Sequence, residues 1–243
     1  MDFNSTLNLA ITTDGVNPPG TGNYLDVTAG ATGSSQGVGI GRSYTDGMDV
    51  SVSHSIDFKY RINEDLGASG TFTHYNDRYQ MFDVGENRKT ANGYCSWVIG
   101  CYGAGGTTWL DAEDAKYWVV YDGDNDTGSF VAERQVNSGI LVQTGVTYDF
   151  HIDVDAATKT WDVTIGTGGT TLYDSTVLHP DGLGWRTNAA TVAGRLGYGC
   201  YTNASTDTRA YSLDGIRIVP EPSALLLLLS SVLFLSVSAR RSR

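Results

Sequence analysis

Positive charge is scarce in this chain of 243 residues. Sixteen lysines and arginines stand against 27 acidic residues, a net charge of −11. Such a surface repels phosphate backbones, which excludes nucleic acid as a partner. Long amphipathic stretches of helical period are lacking, and methionine occurs three times, so an α-helical domain is excluded. The four histidines, His54, His74, His151 and His179, are scattered. They have neither metal-ligand spacing nor a place in a Ser-His-Asp arrangement. Cysteine occurs three times, at Cys95, Cys101 and Cys200, with no Cys-x-x-Cys and no neighbouring histidine. That excludes a zinc site. The opening Met1-Asp2-Phe3-Asn4 has neither the basic segment nor the apolar run of a signal peptide. An exported protein needs one, so the expectation is that the natural start lies upstream.

Glycine, by contrast, occurs 30 times, tyrosine 14 times and tryptophan five times. With abundant threonine, this composition describes strands joined by tight turns. The clearest pattern runs over residues 49–62. Val50, Val52, Ile56, Phe58, Tyr60 and Ile62 alternate with Ser51, Ser53, Asp57, Lys59 and Arg61. Period two over that length is a half-buried strand, with His54 on its apolar side as a hydrogen-bonded core or edge histidine. A second alternation, Val146, Tyr148, Phe150, Ile152 and Val154, turns at 155–158 and returns as Trp161, Val163 and Ile165. This is a hairpin with one aromatic face.

Shorter strands are predicted at 24–28, 38–40, 97–102, 116–121, 129–136, 140–143, 192–200 and 210–219. A further hairpin of 71–75 and 79–84 is predicted around Asn76-Asp77-Arg78. In the last strand Tyr211 and Leu213 are odd-numbered, whereas Ile216 and Ile218 are even. The parity switch at Asp214-Gly215 predicts a β-bulge. The fold class is therefore all-β, an antiparallel sandwich. The long strand, the 146–165 hairpin and the closing Tyr-Ser-Leu-Asp-Gly-Ile-Arg-Ile resemble the concanavalin A-like, laminin G-like jelly rolls. The likeness is one of pattern and implies fold, not activity.

After this polar domain the chain changes character. Pro220-Glu221-Pro222 is followed by an uncharged run over 224–239 that includes five consecutive leucines, and then by Arg240, Arg241 and Arg243. As a helix the run would span about 24 Å at ~1.5 Å per residue. It lacks the polar stripe of a buried C-terminal helix, so a single transmembrane helix is predicted, with the arginines cytoplasmic. Two units follow: a sandwich over 1–218 and a tail over 219–243. Three of the 16 basic and one of the 27 acidic residues lie in the tail, which leaves the sandwich with 13 and 26, net −13. The order of motif, apolar span and basic end is similar to the PEP-CTERM sorting tail. The resemblance implies export, recognition by an exosortase-type membrane enzyme through Pro220, Glu221, Pro222, Arg240, Arg241 and Arg243, and placement in the cell envelope or extracellular matrix.

Four groups carry candidate chemistry. Asp122, Asp124 and Asp126 alternate in a turn and can converge on a calcium ion, although Asp-Asn-Gly turns are equally at home as solvated hairpins. Trp97, Trp109 and Trp185 lie in glycine-rich contexts and are candidate platforms for a polysaccharide, with core packing as the competing role. Asp111, Glu113 and Asp114 resemble a shortened laminarinase-type carboxylate strand, but the matching second glutamate is missing, so a solvated turn is preferred. In an oxidising compartment one disulfide is expected. Cys95–Cys101 closes a small loop, and Cys200 can instead pair with either. The functional expectation is a surface protein that binds a polysaccharide or serves structurally, without enzymatic activity. A glycoside hydrolase or lyase is the alternative.

Overall fold

The computed structural model describes residues 5–12, 24–31, 36–43, 52–67, 72–74, 76–84, 95–104, 111–123, 134–186, 195–202 and 208–221. Its strands, in chain order, are β1 (Ser5–Thr12), β2 (Tyr24–Ala31), β3 (Gln36–Ser43), β4 (His54–Ile62), β5 (Arg78–Val84), β6 (Val98–Tyr102), β7 (Tyr117–Tyr121), β8 (Gln135–Leu141), β9 (Thr147–Asp155), β10 (Thr160–Thr167), β11 (Thr170–Asp174), β12 (Leu183–Gly184), β13 (Arg195–Thr202) and β14 (Thr208–Pro220). The described helical pieces are a 3-10 turn at Ala112–Asp114 and a single α-turn, α1, at Ser175–Leu178.

Among the described residues all strand pairings are antiparallel and form two sheets. The larger has the order β1-β2-β14-β4-β9-β10-β11, with β12 beside β10; the smaller is β3-β13-β5-β6-β7-β8. Period-two alternation decides which side chains meet between them. Ile56, Phe58 and Tyr60 of β4, with Phe150 and Ile152 of β9, face Met81, Ile99 and Trp118 of the smaller sheet in one apolar core. Phe58 stacks on its cross-strand neighbour Phe150 at 5.0 Å, and Tyr60 stacks on Tyr211 at 5.1 Å. Both contacts lie in the range of favourable aromatic pairs.

The bulge forms where the parity switch places it. The β14–β4 register shifts between Asp214 and Arg217, and Gly215 takes φ +62°, a left-handed conformation suited to glycine. The extra residue turns Ile216 and Ile218 back toward the core.

Other expectations change. Residues 72–74 form bends rather than a strand, and Phe72 has φ 50°. Its ring is instead buried against Tyr79 at 5.8 Å, and β5 pairs with β6 and β13. The strands expected at 129–136 and 140–143 meet in one described strand, β8. Strands β1 and β11 and the turn α1 were unexpected, because threonine, serine and glycine obscure their alternation. The last strand continues through Pro220, which pairs with His54, and the Glu221 amide donates to the Ser53 carbonyl at 3.0 Å. The sandwich therefore extends past the boundary expected at 218. Among the described residues no helix is long and apolar enough to cross a membrane; the run 224–239 lies outside them.

Candidate functional site: a polar groove on the larger sheet

The polar members of the alternating strands decorate the outer face of the larger sheet. Register brings them together in rows. Asp57 of β4 lies opposite His151 of β9, which lies opposite Thr164 of β10. One row along, Lys59 lies opposite Asp149, and Asp149 opposite Gly166. On the other side Ser55, Asp153 and Asp162 form a third row. The first two rows, with the β10–β11 turn and Gly215, line an open groove of about 460 Å³. That size is within the range of small-molecule sites. Three of the lining residues, Gly166, Gly169 and Gly215, present no side chain. At Gly166 a Cβ would sit 2.7 Å from the Thr170 carbonyl oxygen, so only glycine lets β11 approach so closely.

Hydrogen bonds order the charged side chains without burying them. His151 Nδ1 is 2.7 Å from Asp57 Oδ1, and Nε2 is 3.2 Å from Asp153 Oδ2. Ser55 Oγ donates to the other Asp153 oxygen at 2.7 Å. Lys59 Nζ donates to Asp149 Oδ1. The His151 and Asp57 side chains remain 43% and 42% exposed, accessible to a ligand. Partial burial pulls the His151 pKa down, but the hydrogen bond that the imidazole donates to Asp57 and the charges of Asp153 and Asp57 outweigh it, so the imidazole titrates above the ordinary histidine value. The protonated form is favoured by folding, and the stabilisation it contributes is lost as pH rises through the raised pKa. An NMR titration of Asp57→Asn should show the His151 pKa falling relative to the natural chain. An unchanged midpoint would refute the assigned partner.

The sequence-predicted sites fare differently. Trp97 is 0% and Trp185 2% exposed, so neither is a platform. Trp97 shares the inward parity of Ile99 and Cys101 and lies 6.2 Å from the Trp161 ring; Trp185 Nε1 donates to the Thr160 carbonyl at 3.0 Å. Trp109 lies outside the described residues. Of the calcium candidates, Asp124 and Asp126 also lie outside them. Asp122 accepts the Gly184 amide at 2.8 Å and sits 3.6 Å from His179 Nδ1. Among the described residues no group of three or more His, Cys, Asp or Glu side chains is placed to hold a metal ion.

The Cys95–Cys101 disulfide is not formed; all three cysteines are buried thiols outside any disulfide. Cys101 lies in the core between the sheets, whereas Cys95 packs with Phe82, Val98 and Tyr121 on the other face of the smaller sheet. Cys200 shares the core with Cys101, and burial raises both thiols well above the usual range. Asp111 and Glu113 are exposed at the 3-10 turn as expected, but Asp114 is buried and accepts from Asn137 Nδ2 at 2.8 Å. Of the sorting motif, Pro220 ends β14 and Glu221 follows it directly, and Pro222, Arg240, Arg241 and Arg243 lie outside the described residues. The fold also gathers Asp83, Ser96 and His54, but not as a nucleophilic triad. Asp83 accepts the Ser96 amide at 2.6 Å and the Ser96 hydroxyl directly, and all three residues are 0% exposed. No imidazole stands between the hydroxyl and the carboxylate.

No protein-family model matches the chain, and no curated protein is significantly similar to it. Among solved structures, the catalytic domain of a glycoside hydrolase family 131 protein from Coprinopsis cinerea superposes with a TM-score of 0.52 at 14% identity, covering 89% of this chain and 78% of that one. The two share a fold. At this identity the likeness reaches no further. A GH131 β-glucanase catalytic domain from Podospora anserina (TM-score 0.49, 9% identity, covering 87% and 78%) and lectin II from Ulex europaeus (0.43, 12%, covering 90% and 93%) are also similar.

The groove residues Asp57, Lys59, Asp149, His151 and Thr164 were not singled out by sequence reasoning. The available signal was their shared parity, opposite to the apolar members of the same strands.

Proposed function

We propose that the protein is a saccharide-binding module, with the groove on the larger sheet as its site. The carrying observation is an open cavity of about 460 Å³ walled by carboxylate, ammonium, imidazole and hydroxyl groups from four neighbouring elements. Sugars present many hydroxyls in fixed directions, and such a wall can answer several at once. The fold shared with a glycoside hydrolase catalytic domain supports this reading and the jelly-roll, concanavalin A-like assignment. Binding is favoured over hydrolysis, because Asp57 and Asp149 each already accept a hydrogen bond, from His151 and Lys59 respectively. A hydrolase needs one carboxyl poised as acid and the other as nucleophile or base.

The tail adds location: export, membrane insertion through 224–239 and recognition by an exosortase-type enzyme. Its support is the order of motif, span and arginines. Calcium at Asp122, Asp124 and Asp126 remains a second proposal, tested by the melting temperature with and without the ion.

Thr164→Trp tests the groove. The indole fills the cavity from a strand position that tolerates an aromatic side chain. Affinity for a saccharide found on a glycan array should fall at least about tenfold, or ~1.4 kcal/mol, while the melting temperature holds. Undiminished binding would place the site elsewhere, and an array without binders would end the saccharide reading. Cell fractionation with and without residues 220–243 tests the tail independently: both forms in the same fractions would refute it.

A further inference from the structure

The groove carries carboxylate oxygens that the chain's own donors leave uncommitted. Asp57 and Asp149 stand on adjacent strands, diagonal to one another in the register. Each uses Oδ1 for its partner, and each Oδ2 makes no hydrogen bond among the described residues. Both carboxylates line the open cavity, and the Thr164, Thr170 and Thr171 hydroxyls stand beside them. On the donor side, both His151 nitrogens are occupied, by Asp57 and Asp153. Lys59 alone has ammonium protons to spare.

The surrounding field has the same sign. Asp153, Asp162 and Asp214 flank the groove on the same face, with Arg217, and His151 when protonated, as the further cations. The chain as a whole carries −11. A uronate or sulfated sugar would bring a second negative charge to uncommitted carboxylate oxygens and be repelled. A neutral sugar would leave those oxygens with hydroxyl donors only. An ammonium group supplies three donors and a complementary charge to the same oxygens, and a charge-assisted bond is about twice as strong as a neutral one.

We infer that the groove prefers saccharides bearing free amines, oligomers of a deacetylated amino sugar, over neutral glucans and over uronates. This rests on the saccharide reading above and specifies its ligand class. Asp57 and Asp149 are the residues that determine the specificity.

The test is calorimetric titration of the full chain with four probes: a glucosamine tetramer, its N-acetylated counterpart, a neutral glucose tetramer and a glucuronate tetramer. The glucosamine tetramer should bind about tenfold or more tightly than the acetylated and neutral forms, a margin of ~1.4 kcal/mol, and the glucuronate should not bind. Added salt should narrow the gap. In Asp149→Asn, whose amide keeps the shape and one acceptor, the ratio of amine to acetylated affinity should fall toward one. Equal or tighter binding of the acetylated, neutral or acidic tetramer would overturn the amine preference and leave the saccharide site standing. An unchanged ratio in Asp149→Asn and Asp57→Asn, with melting temperatures retained, would also overturn it. Binding of none of the four would remove the site together with the preference.

Discussion

Arg209→Met is expected to lower the melting temperature by on the order of 10 °C. Arg209 is 1% exposed and joins three separate segments at one end of the sandwich. Its guanidinium donates to Glu64 Oε2 at 2.9 Å, to Asp77 Oδ1 at 2.6 Å and to the Tyr201 carbonyl at 3.0 Å. Tyr79 completes the cluster by donating to Glu64 Oε1 at 2.6 Å. Methionine fills similar volume but leaves two carboxylates facing each other out of water. Breaking a buried pair by removing one partner costs about 3–5 kcal/mol, and a chain of this size loses about 2–4 °C per kcal/mol.

The pH dependence identifies the cause. Burial raises the Glu64 pKa in the folded protein, against the lowering influence of the Arg209 charge and the Tyr79 hydrogen bond. Removing Arg209 deletes that charge, so the folded pKa rises further. A carboxyl with a raised folded pKa favours folding below its unfolded value, and this contribution is lost as pH rises through the folded one. The variant should therefore be most deficient near pH 8 and recover part of the difference near pH 5. Adding Glu64→Gln should restore part of the loss at pH 8. A deficit equal at both pH values would point to lost packing against Phe72, whose ring lies 5.4 Å from the guanidinium carbon.

Trp118→Ala acts on the opposite kind of contact. Trp118 is fully buried on β7 and meets three aromatic rings of the larger sheet edge-on: Tyr60 at 5.9 Å, Tyr148 at 5.6 Å and Phe150 at 5.3 Å. Truncation should cost about 3–5 kcal/mol and, at the same ~2–4 °C per kcal/mol, depress the melting temperature by on the order of 10 °C. Trp118→Phe should retain much of that stability. Phe150 also lines the groove, so loosening its support from below should weaken saccharide binding even at temperatures where the variant stays folded. A melting temperature within ~2 °C of the natural chain would show that the sheets are held together elsewhere.

These effects differ in how far they were legible beforehand. The amphipathic strands β4, β9 and β10 were readable because alternation is a local property. Each strand has one dry and one wet face, and residues two apart share a fate whatever the partner. The bulge at Gly215 was readable for the same reason. The pairing expected of Cys95 and Cys101 failed because closeness in sequence does not bring two side chains together: Cys101 faces the core between the sheets and Cys95 packs on the other face of the smaller sheet. For Trp97 and Trp185 the competing role, core packing, is the one the structure shows; glycine-rich neighbours suggest exposure, while burial depends on what packs from the other sheet.

The sequence by itself determined the class of fold, the inward set of side chains and the acidity of the surface, since these follow from composition and period. Only the tertiary structure decided that Asp57 meets His151, that Lys59 meets Asp149, and that Arg209 joins Glu64 to Asp77. Those pairs lie 94, 90, 145 and 132 residues apart in the chain. Strand order and register bring them together, and both are set by how two whole sheets close over one core.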